Sequence, residues 1–482
     1  MKSSTLGGVH VSDRFQPATY PVPASDALVS FMRDGWADGH DVVERLGVAT
    51  WAQDRRVKLS QRFPGDRLVI PAGPLKPRAN DTDYRFRADT AHVYFSGNQT
   101  SDAVLVIDDG EPTLFFRPRH AKSDDAFWRD GRYGEAWAGR RLSLAEASEV
   151  YGVTCRHLYE LPDVLRSGGP TRVHRGVDPD VDAMVDKHQD PTADQALAVT
   201  MSEMRLTKDD WEVAQLQDAV DSTICGFEDS VREWSNVLRY GERWLEGTFW
   251  RRARANGNDV GYESIVAGGR HATTLHWIEN DGAVEPGKLI LLDMGVENRS
   301  LYTADVTRTL PISGTFTSEQ RDLYDLVYAA QEAGMAAVKP GVPYRDFHTA
   351  AMTVLAHGLE EMGILPVSAA EALEKDSGVY RRWTLHGTGH MLGLDVHDCA
   401  AARNEGYLDG KLEPGMVLTV EPGLYFQESD LLVPESLRGI GIRIEDDLLV
   451  TEDGARNLSA GLARTADDVE AWMGALSEPQ RP

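Results

Sequence analysis

The sequence predicts a two-domain α/β protein, with a mixed α/β first half followed by an α+β second half. Three observations lead there. The chain has 482 residues, and at about 150 residues per domain it has room for two or three cores. Short helical and strand-like runs alternate from Trp51, whereas past about residue 200 the helical periods lengthen and stand between apolar strand-like runs. No internal repeat of about 20 to 50 residues is visible, which sets aside solenoids and propellers.

Residues 1–47 carry Pro17, Pro21 and Pro23 and read as an N-terminal extension, with one short amphipathic helix expected within Phe31–Leu46. A helical period over Trp51–Phe63 stops at Pro64-Gly65, and a strand follows at Arg67–Ala72. Asp108-Asp109-Gly110 then joins a hairpin of Ala103–Ile107 and Thr113–Arg117. Residues 48–200 form the first domain in this reading, its end marked by the stretch Asp178–Asp194, and residues 201–482 form the second. There the clearest helix begins near Thr207 as N-cap and sets Val213, Leu216, Val220, Ile224, Phe227, Val231 and Trp234 on one face. Thr317-Ser318-Glu319-Gln320 opens a second helix as a capping box that runs to Lys339-Pro340-Gly341, and a third runs from Tyr344 to a stop at Gly363. Strand-like runs occupy Leu289–Val296, Tyr302–Leu310, Met416–Leu424 and Gly439–Val450.

A formal charge of −26, from 50 Lys plus Arg against 76 Asp plus Glu, repels phosphate backbones and anionic lipid surfaces. Nucleic acid and membrane are therefore not expected as partners, and most of the acid excess reads as a solubility property. Cys155, Cys225 and Cys399 lie far apart without a CxxC pair, which fits a reducing compartment and leaves no thiolate zinc site. Met1–Tyr20 has no apolar export segment, so a cytoplasmic protein is expected.

Each of the four strand-like runs of the second half places a carboxylate where an apolar residue belongs: Asp293, Asp305, Glu421 and Glu445. Any one alone fits an ion pair or a strand-end cap. Four that converge require cations, because each unpaired buried carboxylate costs several kcal/mol. His386-Gly387-Thr388-Gly389-His390 adds imidazoles in a glycine-rich setting that lets backbone approach closely. Oxygen donors with an imidazole and no thiolate suit hard or borderline divalent ions, and carboxylates that bridge suit two of them.

These residues stand in motifs that resemble a known family. Leu292-Asp293-Met294-Gly295, Tyr302-Thr303-Ala304-Asp305-Val306-Thr307-Arg308-Thr309, His386–Asp398, Thr419-Val420-Glu421-Pro422-Gly423-Leu424-Tyr425 and Gly439–Asp446 resemble, in that order, the Xaa-Pro aminopeptidases. These are metallopeptidases of family M24 with the pita-bread fold shared with prolidase, methionine aminopeptidase and creatinase. The first domain resembles the family's creatinase-like N-terminal domain, most visibly at Asp83–Arg87 and Val93–Gly97, and methionine aminopeptidases generally lack such a domain.

The resemblance implies that Asp293, Asp305, His390, Glu421 and Glu445 hold two divalent ions, manganese first with cobalt or zinc as alternatives, Asp305 and Glu445 bridging. It implies hydrolysis of the N-terminal Xaa-Pro bond of peptides by a metal-bridging hydroxide. Glu421 would serve as general base and then acid, His397 and His276 as donors to the tetrahedral intermediate, and His386 as a wall of the pocket after the scissile bond. Arg443, two residues from Glu445, either pairs with a ligand carboxylate or binds substrate. His271 and His348 read as surface or helix-face residues. The Asp293–Asp305 spacing is one residue longer than the family's usual one, which places a longer hairpin tip near Glu297–Ser300. The rivals are a prolidase-type dipeptidase and a non-catalytic pita-bread binding module, and relatives suggest a homo-oligomer, dimer or tetramer.

Overall fold

The computed structural model describes residues 25–36, 42–80, 82–129, 135, 139–167, 169–185 and 190–477. Pro17, Pro21, Pro23 and the Met1–Tyr20 stretch lie outside the described residues. The chain divides into two units, Met1–Met201 and Ser202–Pro482.

In the first unit a helix at Ala49–Arg62 precedes a five-stranded mixed sheet. Its order is Thr154–His157, Glu111–Phe116, Val104–Asp108, Arg67–Pro71 and Thr171–Val173, parallel at both outer pairings and antiparallel between. The expected hairpin turns at Asp109 (φ 47°) and Gly110 (φ 86°), the two successive positive φ values that match the twist of the flanking strands. Val69, Val104, Val106 and Phe115 bury one face of the sheet against Leu161, Leu165 and Val181. The helix expected within Phe31–Leu46 is misplaced: it spans Asp26–Met32, capped by the Ser25 hydroxyl. Gly35 at φ 82° turns the chain just beyond it, and residues 42–46 are not helical.

In the second unit the first long helix runs Asp210–Arg232, and its N-cap is Asp209 rather than Thr207. Asp209 accepts from the Glu212 N–H while the Glu212 carboxylate accepts from the Asp209 N–H, a reciprocal box that outcompetes a lone threonine. Thr207 instead pairs with Met416. The Thr317–Gln320 box opens Ser318–Ala337 as expected, and the third helix spans Asp346–Glu361, starting two residues after Tyr344 and stopping at Gly363, which takes φ 68°. No helix among the described residues is long and apolar enough to cross a membrane.

Leu289–Met294 pairs antiparallel with Val306–Pro311 on one side and Ile265–Gly268 on the other. Two further ladders join Val417–Val420 to Asp446–Val450 and Gly423–Tyr425 to Gly441–Arg443. A core of Phe227, Phe249, Leu292, Leu310, Tyr324 and Leu355 packs the helices on these strands.

The strand-like runs are thus interrupted, and the carboxylates stand at or beside the interruptions. Asp305 precedes its strand, Glu421-Pro422 separates two strands, and Ile444-Glu445 separates the two that face them. At that corner the chain changes partner, the Ile444 N–H donating to Pro422 O and the Glu445 N–H to Thr307 O. The Asp293–Asp305 connection ends in a tip where Asn298 Oδ1 accepts the Ser300 and Tyr302 N–H groups and Leu301 takes φ 68°.

Gly295 lets this connection close. A Cβ there would stand 1.8 Å from Ala304 O, a backbone atom tied into the same hairpin that cannot step aside. Gly295→Ala is expected to destabilise the protein by about 1–3 kcal/mol or more, read as a lower urea midpoint, and to loosen the pairing of the Asp293 and Asp305 strands. An unchanged midpoint would rule this out.

Candidate metal centre and active-site cleft

A cleft of about 540 Å³ is lined by every residue singled out above for chemistry: Asp293, Asp305, His390, Glu421, Glu445, His276, His386, His397 and Arg443. The elements behind it explain the convergence. Asp293 faces Thr307 across a ladder, Thr307 donates from its hydroxyl to Glu445 Oε2 at 2.7 Å, and the His390 and Glu421 segments are tied by the Thr419 N–H to His390 O and the Glu421 N–H to Thr388 O. Gly389 permits this, since a Cβ there would lie 2.0 Å from Thr419 O.

The ligand atoms of Asp305, His390 and Glu445 lie within 4.8 Å of one another. His390 Nδ1 donates to the Met391 carbonyl at 3.2 Å, which turns Nε2 to Asp305 Oδ2 at 3.3 Å and Glu421 Oε1 at 3.7 Å. Burial disfavours a charged imidazole, yet Asp305 and Glu421 push His390 up to about 9. Burial and then Asp305, Glu421 and Asp293 hold the Glu445 carboxyl well above its ordinary range. Burial and the neighbouring Asp293 likewise raise Asp305, against the pull of His390. Acids that repel one another this strongly, with an imidazole that takes up a proton among them, are donors arranged for cations. The residues fit the divalent ions that the sequence implies.

Several contacts around this cluster were not foreseen. The Tyr262 hydroxyl lies 2.7 Å from Asp293 Oδ1 and 2.6 Å from Asp305 Oδ1, joining the two carboxylates. Tyr425 accepts from Arg443 Nη1 at 3.0 Å and donates to His386 Nε2 at 2.7 Å; burial holds its phenol up at about 12, so it keeps its proton. Asp447 Oδ2 accepts the Asp305 N–H, while its buried Oδ1 has no hydrogen-bond partner. Burial and Asp305 hold Asp447 well above its usual range. Tyr425 stood in a quoted motif, but Tyr262 follows only Gly261 in a stretch without periodicity, which gave no signal.

Arg443 is 4 % exposed and donates to Asp293 Oδ2 at 2.6 Å, to Tyr425 and to Thr307 Oγ1 at 3.2 Å. Of its two readings, the geometry matches the pairing with a ligand-type carboxylate. His386 Nδ1 donates to Gly387 O at 2.7 Å and lies 3.4 Å from Glu421 Oε2. The His397 ring meets His390 edge-on at 4.3 Å, and His276 is exposed to the cleft rather than held in a core. Of the two histidines read as surface or helix-face groups, His271 departs from that reading and His348 keeps it. His271 stacks on Trp277 and bonds Glu242, and His348, on the Asp346–Glu361 helix, contacts Thr388 Oγ1 at 2.7 Å.

A two-unit α/β chain with a cleft that gathers carboxylates and imidazoles has the makings of a metallopeptidase. Residues 218–452 match metallopeptidase family M24, and residues 52–172 match the aminopeptidase P N-terminal domain. The chain belongs to the Xaa-Pro aminopeptidases of that family, with their creatinase-like first domain and pita-bread second domain. It is 57 % identical to Xaa-Pro aminopeptidase 1 of Streptomyces coelicolor, over 94 % of this chain and 93 % of that protein. It is similar to the structure of an aminopeptidase of Pseudomonas aeruginosa (TM-score 0.80, 30 % identity, 90 % of this chain and 99 % of that one). It is also similar to a zinc-substituted Escherichia coli aminopeptidase P in complex with product (TM-score 0.79, 31 % identity, 90 % and 100 %).

Proposed function

We propose that this protein removes the N-terminal residue from peptides with proline at position two, using two divalent cations, manganese in preference to cobalt or zinc. Asp293, Asp305, His390, Glu421 and Glu445 would hold the ions. The observation that carries this reading is the convergence of those five side chains on one cleft, with ligand atoms of Asp305, His390 and Glu445 within 4.8 Å of one another. Cations held there would lower the pKa of water towards neutrality and polarise the scissile carbonyl.

The chain's own residues do the rest. Glu421 takes the proton of the attacking water and returns it to the proline nitrogen as the C–N bond breaks. His276 and His397, exposed in the cleft, donate to the oxygen that gains charge when water adds to the carbonyl. His386, fixed by Tyr425 and Gly387, walls the pocket for the residue after the scissile bond. Arg443 holds Asp293 in place. The imide nitrogen of proline has no hydrogen and its ring fixes φ, so a shallow imidazole-walled pocket accepts what other peptidases reject.

Residues 48–200 and 201–482 are taken as the two functional domains, after an extension at 1–47. The chain's cysteine usage suits the cytoplasm, and its relatives suggest a homo-oligomer, dimer or tetramer, which light scattering would size. With manganese present, Ala-Pro-Ala is expected to turn over at least about a hundredfold faster than Ala-Ala-Ala. Equal turnover of the two would remove the proline claim, and activity confined to Ala-Pro would make the protein a dipeptidase.

A further inference from the structure

His276 reaches the cleft from the segment Gly268–Gly282, much of which has no strand or helix of its own. One side chain gathers that segment. Glu242, the first residue of the Glu242–Asn256 helix, is fully buried. Its Oε1 accepts the Gly268 N–H at 2.7 Å and His271 Nδ1 at 2.9 Å. Its Oε2 accepts the Trp277 Nε1–H at 2.9 Å and the Gly282 N–H at 2.7 Å. Four donors on one group, two from the ends of the segment and two from rings within it, suit a carboxylate, whose two oxygens accept about four bonds and donate none.

The anchor is fixed in turn. The Glu242 N–H donates back to Gly282 O at 3.0 Å, and Gly241, at φ 81°, allows that approach because a Cβ would stand 2.4 Å from the same oxygen. His271 stacks on Trp277 with ring centroids 3.9 Å apart. Trp277 thus turns towards Glu242 while its neighbours His276 and Ile278 line the cleft. A separate cavity of about 800 Å³ borders Gly268, His271 and Gly282, so on that side the segment lacks packing and depends on the carboxylate.

We propose that Glu242 is a positioning residue for this reaction: by closing the Gly268–Gly282 segment on itself it sets His276 in the cleft. This rests on the role given to His276 above. The test uses full-length, metal-loaded protein and compares Glu242→Gln, His276→Ala and the double variant on Ala-Pro-Ala. An amide must turn its NH2 towards two of the four donors, so Glu242→Gln is expected to lower kcat/KM about tenfold or more, mainly in kcat, with metal content unchanged. Made in the His276→Ala background, the same substitution is expected to cost less than about twofold, because it acts through a residue already gone. Trp277→Phe removes one donor and keeps the stacked ring; it should give a smaller loss that also vanishes without His276, and it decides the matter if Glu242→Gln does not fold. Losses that multiply, a Glu242→Gln enzyme with wild-type kcat/KM, or a fully active His276→Ala enzyme each overturn the proposal. A wild-type protein that does not turn over Ala-Pro-Ala overturns the reading of the reaction instead.

Discussion

Asp305→Ala is expected to lower kcat/KM on Ala-Pro-Ala by about three orders of magnitude or more and to reduce the divalent metal retained through gel filtration. Asp305 is 5 % exposed and meets both Tyr262 and His390, so its loss removes a buried donor from the middle of the cluster. The loss should not come from unfolding. Burial and the charge of Asp293 already raise the Asp305 carboxyl above its ordinary value, which means the metal-free fold holds it at a cost. Tyr262 keeps a partner in Asp293 at 2.7 Å, and Glu445 loses a charge that repels it. In chelator-treated protein, then, the urea midpoint of Asp305→Ala should equal or exceed that of the wild type, while with manganese the wild type should be the more stable because bound ligand favours the folded state. Full metal retention and turnover in the variant would remove Asp305 from the centre.

The same contrast separates what the sequence could and could not tell. The carboxylates were legible because an acid in an apolar run is locally anomalous, and the Thr317 box and the Asp109-Gly110 turn because their signals lie within a few residues. The interruptions at Glu421-Pro422 and Ile444-Glu445 were not, since the bonds that create them go to Thr307 O and to Pro422 O, which sequence order does not bring near. Tyr262 and Glu242 escaped for a like reason: each is an ordinary residue whose role comes from partners supplied by the fold. His271 was misread because a lone histidine in Gly269-Arg270-His271 carries no period that points inward.

Arg308→Met should have the largest effect on stability. Arg308 and Asp446 are both fully buried, with Nη2 to Oδ1 at 2.9 Å. The guanidinium also donates to Glu445 O at 2.6 Å, Thr307 O at 2.9 Å and Ala463 O at 2.8 Å. Thus one side chain ties the Asp305 strand, the Glu445 corner and the segment beyond the last strand. Removing it leaves Asp446 with Ser459, Gln331 and, as its remaining cation, Arg464 at 3.7 Å, and breaking such a buried pair costs about 3–5 kcal/mol. Arg308→Lys should recover little, because an ammonium presents three donors from one point and cannot span those carbonyls. Removing both charges, as Arg308→Met with Asp446→Leu, relieves the stranded acid but not the carbonyls, so the double variant should regain only part of the loss in a urea titration. Turnover should fall in all three, since the carbonyl of Glu445 is one of the groups released. A single variant within about 1 kcal/mol of the wild type would show that the pair is not what holds this corner together.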